Sequence, residues 1–383
     1  MYRGPKGESG NIVVWGAIGL AVCLAFAGLA TDVPYLYVAR QQAQTAADAG
    51  ALSGAYGLFV SPSQAVADGK VIAGKTPIIG QLLTPGQIDV FTCNSNNGGI
   101  SECLASSPNP DQVTCITHRD KTHGNPMPLF VLPVLQLFGL GRATSAASGW
   151  DVANVSAAAT ARLFNSCGSN CFVPWSIADR WTDVDRDGKF KAPPDRYIPP
   201  GPGMTGYQFP QDNGLQVTLK VGSPGDTIVS GFFYGVDFPP LNRGRPVTGS
   251  SNYRNNISTC VEGNFVQVGD QLQVETGNMV GPTRDGAREL INQDPTAFWD
   301  TSCQCVNSPF GTDSPRLARV AFFDPRPPVT PGRNFVTVVN VGGFFIERLA
   351  PTGDVIGRFT RVQGLGGTPN NACSFFQTVQ LVK

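Results

Sequence analysis

The chain has 383 residues, and its 28 Lys and Arg balance its 28 Asp and Glu, so its formal net charge is zero. A balanced chain has no global positive field to attract nucleic acid or anionic lipid, and nucleic-acid binding is not expected. Only 15% of the residues are charged, while Gly numbers 45 and Pro 31. Such a composition is typical of short strands and turns rather than of long soluble helices.

The chain contains 10 cysteines, a high number for a protein kept in the reducing cytosol. Cys23 lies in an apolar run, and the other nine lie in loops rich in Gly, Ser, Asn and Pro, which is typical of disulfides that cross-link irregular structure. Because nine is an odd number, at least one thiol is unpaired within the chain or bridges to a partner. Spacing leaves the pairing open, and Cys167–Cys171 and Cys103–Cys115 are guesses at local bridges.

The first predicted element is a transmembrane helix. Ile12 to Ala30 contains no charged residue, and at ~1.5 Å per residue a helix of this length spans roughly the 30 Å hydrocarbon core of a bilayer. The sequence therefore predicts an N-terminal segment at 1–11 and a transmembrane helix at 12–31.

The residues that flank the apolar run predict its orientation. Arg3, Lys6 and Glu8 precede it, and Asp32, Arg40 and Asp48 follow it, so a small positive-inside bias places the N-terminus in the cytoplasm. The remaining chain is then periplasmic or otherwise extracytoplasmic, in agreement with its cysteines, and the protein is a single-pass protein of a bacterial inner membrane. Gly28-Leu29-Ala30 leaves open cleavage by signal peptidase after Ala30, although the length of the run favours retention.

A second helical segment follows directly. Leu36 to Gly57 is rich in Ala and Gln, which favour helix, so residues 32–60 are predicted to form an extracytoplasmic stalk helix. Joined to the transmembrane helix, it makes one long helix with a kink expected at Pro34. Small residues line one face of the stalk, and such faces are expected to contact other helices in the membrane. These residues are Ala43, Ala47, Gly50, Gly54 and Gly57.

The sequence of this N-terminal region resembles a known family. Gly10-Asn11, the apolar run, Asp32 and then Tyr37 to Ala55, with its Ala-Ala-Asp-Ala and Leu-Ser-Gly-Ala runs, follow in order. This series is similar to the N-terminal signature of TadG-like proteins (the TadE/TadG family) of the Flp, or tight-adherence, pilus assembly systems. The resemblance implies a pilin-like N-terminal region. It also implies a role in pilus assembly through protein–protein contacts with other pilus-assembly or membrane proteins.

Residues 61–165 are predicted to form a small α+β pilin-like module. Ser63 to Gly74 has a short helical pattern, while Gln87 to Cys93 and Asp111 to His118 alternate like strands. Met127 to Leu140 is apolar but too short to cross a membrane well. It is interpreted either as a buried core helix or as a segment that lies against the membrane.

Residues 166–383 are predicted to form a β-rich, disulfide-stapled domain. From Leu215 onward short strands alternate with turns at the spacing of a β-sandwich or barrel, and a sandwich-like domain is predicted. One helix interrupts the strands, at Thr283 to Gln293. The predicted fold class is therefore α+β.

One loop of this domain resembles the first half of a calcium-binding loop. Asp183-Val-Asp185-Arg-Asp187-Gly188 has the D-x-D-x-D-G pattern, in which oxygens at positions one, three and five coordinate Ca²⁺. The twelfth position is Pro194 instead of an acidic residue, and a plain Asp/Gly turn is the alternative. With Ca²⁺, the alternative function is a secreted or surface calcium-stabilised binding or adhesion protein. The candidate metal ligands are Asp183, Asp185, Asp187, Lys189 and Asp195.

Few residues of the chain could support zinc binding or catalysis. Cys115, His118 and His123, with Cys93 or Cys103, have the spacing of a zinc site. An oxidising compartment favours disulfides and solvated loop histidines instead.

The pair Cys303-Gln-Cys305 is not a redox C-x-x-C, and separate structural disulfides are predicted for it. The chain also has no G-x-S-x-G elbow. The sequence therefore predicts that the protein is not an enzyme. It assigns no catalytic or cofactor-binding residue and no small-molecule ligand.

Overall fold

A computed structural model of the chain describes residues 9–94, 103, 110–131, 133, 151–261, 264–330, 334–365 and 373–382. The chain divides into two compact units. Unit 1 comprises Met1–Leu58, Pro62–Arg162 and Leu381–Lys383, and unit 2 comprises Phe59–Ser61 and Leu163–Gln380. The predicted α+β class, with a long N-terminal helix and a large β-rich region, is confirmed.

Most of the described helices and strands follow the sequence pattern, but unit 2 has a helix at Ser250–Ser258 that was not predicted. The helices are α1 (Ser9–Gly57), α2 (Pro62–Lys75), α3 (Ser250–Ser258) and α4 (Val280–Gln293). The strands are β1 (Ile88–Cys93), β2 (Gln112–Arg119), β3 (Met127–Pro128), β4 (Val152–Ala153), β5 (Val155–Asn165), β6 (Gly168–Ser169), β7 (Phe172–Ala178), β8 (Gln216–Gly222), β9 (Phe232–Asp237), β10 (Val266–Gln267), β11 (Gln271–Val274), β12 (Phe298–Asp300), β13 (Cys305–Asn307), β14 (Leu317–Phe323), β15 (Phe335–Leu349), β16 (Val355–Thr360), β17 (Val362–Gln363) and β18 (Phe376–Leu381). The predicted segment from Met127 to Leu140 lies largely outside the described residues.

Unit 1 is built around α1, which runs for 49 residues and includes Pro34. In this unit β1, β2 and β5 form an antiparallel sheet, with Ile116 opposite both Asp89 and Ala158. The C-terminal half of α1 and the helix α2 cover one face of this sheet. The contacts are close because the helix residues involved are small, as Val113 lies beside Gly54 and Cys115 beside Gly50.

The small-residue face of α1 therefore does not have the partner predicted for it. Its alanines are fully buried inside unit 1, and a Cβ placed on Gly50 would lie 2.5 Å from the Cys115 sulfur and 2.9 Å from the Ala73 Cβ. Helices in a membrane and a helix on a sheet both need small residues where backbones approach, so the pattern did not distinguish them. The buried alanines are Ala39, Ala43, Ala46, Ala47, Ala51 and Ala55.

In unit 2, six of the described strands pair in a closed circuit, β14-β7-β9-β8-β16-β15 and back to β14. A closed circuit is a barrel, one of the two architectures that the sequence left open, and differs from the sandwich-like arrangement that was predicted. Strand β11 pairs with both β9 and β15. Because side chains alternate along a strand, two hydrophobic clusters form on opposite faces. Trp175 and Phe233 belong to one cluster, and Phe172 and Phe232 belong to the other.

Eight cysteines pair within the chain, and the local guesses Cys167–Cys171 and Cys103–Cys115 were wrong. The bridges are Cys93–Cys103, Cys167–Cys373, Cys171–Cys260 and Cys303–Cys305. Cys303 and Cys305 therefore form one bridge with each other, where two separate bridges were predicted. Cys23 and Cys115 are free, which confirms that one of the nine loop and strand cysteines stays unpaired within the chain.

Candidate functional site

The N-terminal half of α1 exposes large apolar side chains over several turns. Val13 is 72% exposed, Trp15 69% and Phe26 67%. The helix contains an 18-residue stretch of mean hydropathy 2.3, only 6% of which is buried, and by length and composition it is the one described helix that can cross a membrane. An apolar surface of this size is unfavourable in water, so it needs lipid or the surface of another protein around it.

Asp32 lies where this exposed half of α1 ends. Its side chain is fully buried, and its two carboxylate oxygens accept hydrogen bonds from the backbone N–H groups of Phe130, at 3.1 Å, and Val131, at 3.0 Å. One turn further along the helix, the ring of Tyr35 meets that of Phe130 edge-on at 5.1 Å between centroids. A buried carboxylate is stabilised by such donors. Asp32 therefore fixes the segment after β3 against α1.

The comparison with protein families finds this same helix. Residues 10–57 match the model of a family described as Flp pilus-assembly TadE/G-like. The N-terminal helix is TadE/G-like. The match ends at Gly57, the last residue of α1, so it covers both the exposed apolar half and the half buried in unit 1. The comparison with curated proteins gave no match, and the comparison with solved structures gave none either.

Beyond the TadE/G-like helix, the predicted calcium loop brings three of its five candidate ligands together. Carboxylate oxygens of Asp183, Asp185 and Asp195 all lie within 4.8 Å of one another. Asp187 lies outside this group, and its carboxylate accepts a hydrogen bond from the backbone N–H of Lys189 at 2.8 Å. Asp195, one residue late for a twelfth-position ligand, nevertheless joins the cluster. Sequence spacing alone did not place it there.

Backbone hydrogen bonds fix the geometry of this acidic loop. The carboxylate of Asp195, which is only 5% exposed, accepts the N–H groups of Val184 and Lys191 at 2.9 and 2.8 Å. One oxygen of Asp183 accepts the N–H of Gly188 at 2.9 Å, while its other oxygen is buried and has no hydrogen-bond partner among the described residues.

The pKa of one carboxyl in this loop responds to its neighbours. Desolvation, and then the charges of Asp187 and Asp195, raises the pKa of Asp185 above its ordinary value. The cluster offers carboxylate oxygens alone, the ligands that Ca²⁺ prefers.

The two histidines in unit 1 are less solvated than the sequence predicted, since their side chains are 16% and 23% exposed. His118 lies in β2, while His123 lies in the turn after it, as expected of a loop residue, and their rings stack at 4.0 Å between centroids. The proposed thiolate ligands do not accompany them, because Cys93 and Cys103 form a disulfide. Cys115 is fully buried, and burial raises the pKa of its thiol to about 12. Its sulfur packs against Gly50 of α1, on the face of β2 opposite to that of His118, so the described structure does not bring a cysteine ligand to the two histidines.

Proposed function

We propose that this protein is a membrane-anchored, TadG-like component or accessory of Flp (tight-adherence) pilus assembly that acts through protein–protein contacts. The single observation that carries the proposal is the TadE/G-like match over residues 10–57. The build of the matched helix supports it, because α1 has an exposed apolar half followed by a half that forms the core of a folded unit. Such a helix holds a folded domain at a membrane surface, where assembly proteins meet.

Two further observations support the proposed topology. Arg3, Lys6 and Glu8 precede the apolar half of α1 and Asp32 follows it, and the more positive flank stays in the cytoplasm. Four disulfides cross-link the described chain, as is usual outside the reducing cytosol. In this proposal the protein crosses a bacterial inner membrane once through the apolar half of α1, and the chain from Asp32 onward lies in the periplasm.

The partner contacts are proposed to lie on the exposed apolar half of α1. The small residues from Ala39 to Gly57 already contact α2 and β2 inside unit 1, so they are not available to a partner. Large side chains such as Trp15 and Phe26 are exposed, so they can contact lipid or another membrane helix.

The test is complementation. The gene for this protein is deleted from a strain that normally assembles Flp pili, and variants are then expressed in the deletion strain. The wild-type gene is expected to restore pili, whereas a variant with residues 13–30 replaced by polyleucine is expected to insert but restore fewer pili. A photo-crosslinker at Phe26 is expected to capture a pilus-assembly membrane protein, and one at the exposed Thr45 is not. Normal pili in the deletion strain would overturn the assembly role. Full rescue by the polyleucine variant would show that the apolar half of α1 serves only as an anchor, and would overturn its proposed contact with a partner protein.

A calcium-stabilised secreted or surface binding protein is the second candidate function, and the buried, unbonded oxygen of Asp183 beside Asp185 and Asp195 favours it. Ca²⁺ is expected to raise the unfolding temperature of the full-length protein in detergent, and Asp185→Asn should abolish that rise. Asp187→Asn is the matched control, because Asp187 lies outside the cluster and the rise should persist. If Ca²⁺ leaves the unfolding temperature unchanged, the loop is a plain Asp/Gly turn.

A further inference from the structure

We infer that Asp89, His118 and His123 form a binding site for a divalent transition-metal ion of the Zn²⁺ type, and that Asp120 positions the two imidazoles. Donor atoms of the three ligand residues all lie within 4.8 Å of one another. They are the only two histidines of the chain together with an acidic residue from the neighbouring strand. The site lies within unit 1 and does not depend on the proposed pilus function.

The register of the sheet brings the first two ligands together. Asp89 in β1 pairs with Ile116 in β2, so His118, two residues further on, points to the same face as Ile116. The intervening Thr117 donates its hydroxyl to the carbonyl of Ala43 on α1, which shows that Asp89 and His118 lie on the face away from the helices. There the Nε2 of His118 is 3.1 Å from a carboxylate oxygen of Asp89.

The turn after β2 returns the third ligand to this face. The backbone N–H of His123 donates to the Asp120 carboxylate at 2.8 Å, and the N–H of Asn125 donates to the Asp120 carbonyl at 3.1 Å. These bonds close the turn and stack the His123 ring on that of His118 with only 15° between the planes. The two side chains are 23% and 16% exposed, so they are held in place and still open to an entering ion.

Asp120 contacts the same nitrogen of both rings. One of its oxygens is 2.8 Å from the Nδ1 of His123, and the other is 3.4 Å from the Nδ1 of His118. A carboxylate at Nδ1 orients the ring, and metal-binding histidines usually have such a partner. Asp120 therefore holds both rings by Nδ1, with the Asp89 carboxylate facing the Nε2 of His118, where an ion would replace the proton of that contact. Because the two rings are nearly parallel, His123 in its turn must rotate for both Nε2 atoms to reach one ion.

The type of donor selects the type of ion. Two imidazole nitrogens and a carboxylate suit Zn²⁺, Co²⁺ or Ni²⁺ better than Ca²⁺, which prefers oxygen ligands alone. With metal–ligand distances of about 2.0–2.2 Å, bound donors lie closer together than 4.8 Å. The Asp89 side chain, 46% exposed, has room to turn inward. Three protein ligands leave a fourth position for water. No thiolate takes part, so the site survives in an oxidising compartment.

The experiment is titration of the full-length protein in detergent with Zn²⁺, followed by calorimetry, and with Co²⁺, followed by its visible absorption. The wild type is expected to bind one equivalent, and His123→Ala is expected to lose it. Asp120→Asn should weaken binding by roughly 10–100-fold and shift the Co²⁺ spectrum, since it acts by orienting the imidazoles. Asp183→Asn is the control, because it alters only the separate acidic loop in unit 2 and should leave binding unchanged.

His123 lies in a turn, so its replacement is expected to leave unfolding of unit 1 unchanged in the absence of metal. Asp89→Asn provides a second variant, because Asp89 lies at an edge strand with a partly exposed side chain. Failure of the wild type to bind one equivalent would overturn the inference. So would one equivalent bound equally by folded His123→Ala and Asp89→Asn variants.

Discussion

The two halves of α1 belong to one helix but follow opposite packing rules. The N-terminal half carries large apolar residues that are exposed, such as Trp15 and Phe26, whereas the C-terminal half carries alanines that are completely buried, such as Ala43 and Ala51. The first half has the composition of a helix solvated by lipid, where large side chains cover the backbone. The second half lets α2 and β2 approach its backbone closely, which large side chains would prevent.

The glycines of α1 show the same difference at single positions. A Cβ added to Gly19 would meet no described atom within 4 Å, whereas one added to Gly50 would overlap Cys115. A glycine inside a helix costs about 1 kcal/mol relative to alanine. At Gly50 the close contact with β2 leaves no room for a Cβ, so glycine is needed there despite this cost. At Gly19 no described atom is close enough to require a glycine. Position in the fold, rather than residue type, decides what a small residue does.

The largest expected effect comes from a substitution in the buried half of α1. Gly50→Leu places a side chain where the Cys115 sulfur and Ala73 lie, and overpacking of this kind typically costs about 1–3 kcal/mol of unfolding free energy, and more where backbones must separate. Unit 1 is expected to lose protease resistance. Cys115, buried in the wild type, is expected to react with a maleimide.

Gly19→Leu is the matched control for that variant. Its side chain extends into open space, so unit 1 should retain its protease resistance and Cys115 should stay unreactive. Equal destabilisation by the two variants, or a stable Gly50→Leu protein, would contradict the assignment of the C-terminal half to the core of unit 1.

A charge in the exposed half tests the other side of the comparison. Leu20→Asp places a carboxylate in the middle of the apolar run, at a cost of roughly 2.5–3.5 kcal/mol for membrane insertion. A smaller fraction of the protein should then remain in the membrane pellet. Thr45→Asp, on the exposed side of the C-terminal half, should leave that fraction unchanged. If both variants behave like the wild type, the apolar half does not insert.

The smallest effect concerns the junction between the halves. Asp32→Ala removes the acceptor of the Phe130 and Val131 N–H groups, and a hydrogen bond to a charged group contributes at most about 1.5–3 kcal/mol. Faster hydrogen exchange is expected at those two amides. Asp48→Ala, which removes only a contact with Gln44 on the same helix, should not change their exchange. Unchanged exchange in Asp32→Ala would show that the carboxylate does not hold this segment.

Much of this fold was predictable from periodicity and composition. The strands predicted at Gln87 to Cys93 and Asp111 to His118 are β1 and β2 within one residue at each end, because alternating side chains report one buried face. The helix predicted at Thr283 to Gln293 is α4, begun three residues earlier. Short β-branched and aromatic runs likewise marked the strands of the barrel.

The unpredicted features depend on residues far apart in the chain. Cys167 pairs with Cys373, 206 positions away, so no local spacing reveals the bridge. The histidines looked like loop residues until the register of β1 and β2 and the turn at Asp120 placed both beside Asp89. The small-residue face of α1 was visible in the sequence, but its partner was not, since a sheet and a second helix demand the same small side chains.

The account rests on α1 as a retained anchor whose second half is part of a folded unit. The most direct test is alkaline carbonate extraction of host membranes, combined with external protease digestion of spheroplasts and mass measurement of the full-length product. We predict a protein that stays in the pellet with residues 1–30 intact and is exposed to external protease only beyond the apolar half of α1. A soluble protein that begins at Thr31 would contradict this account.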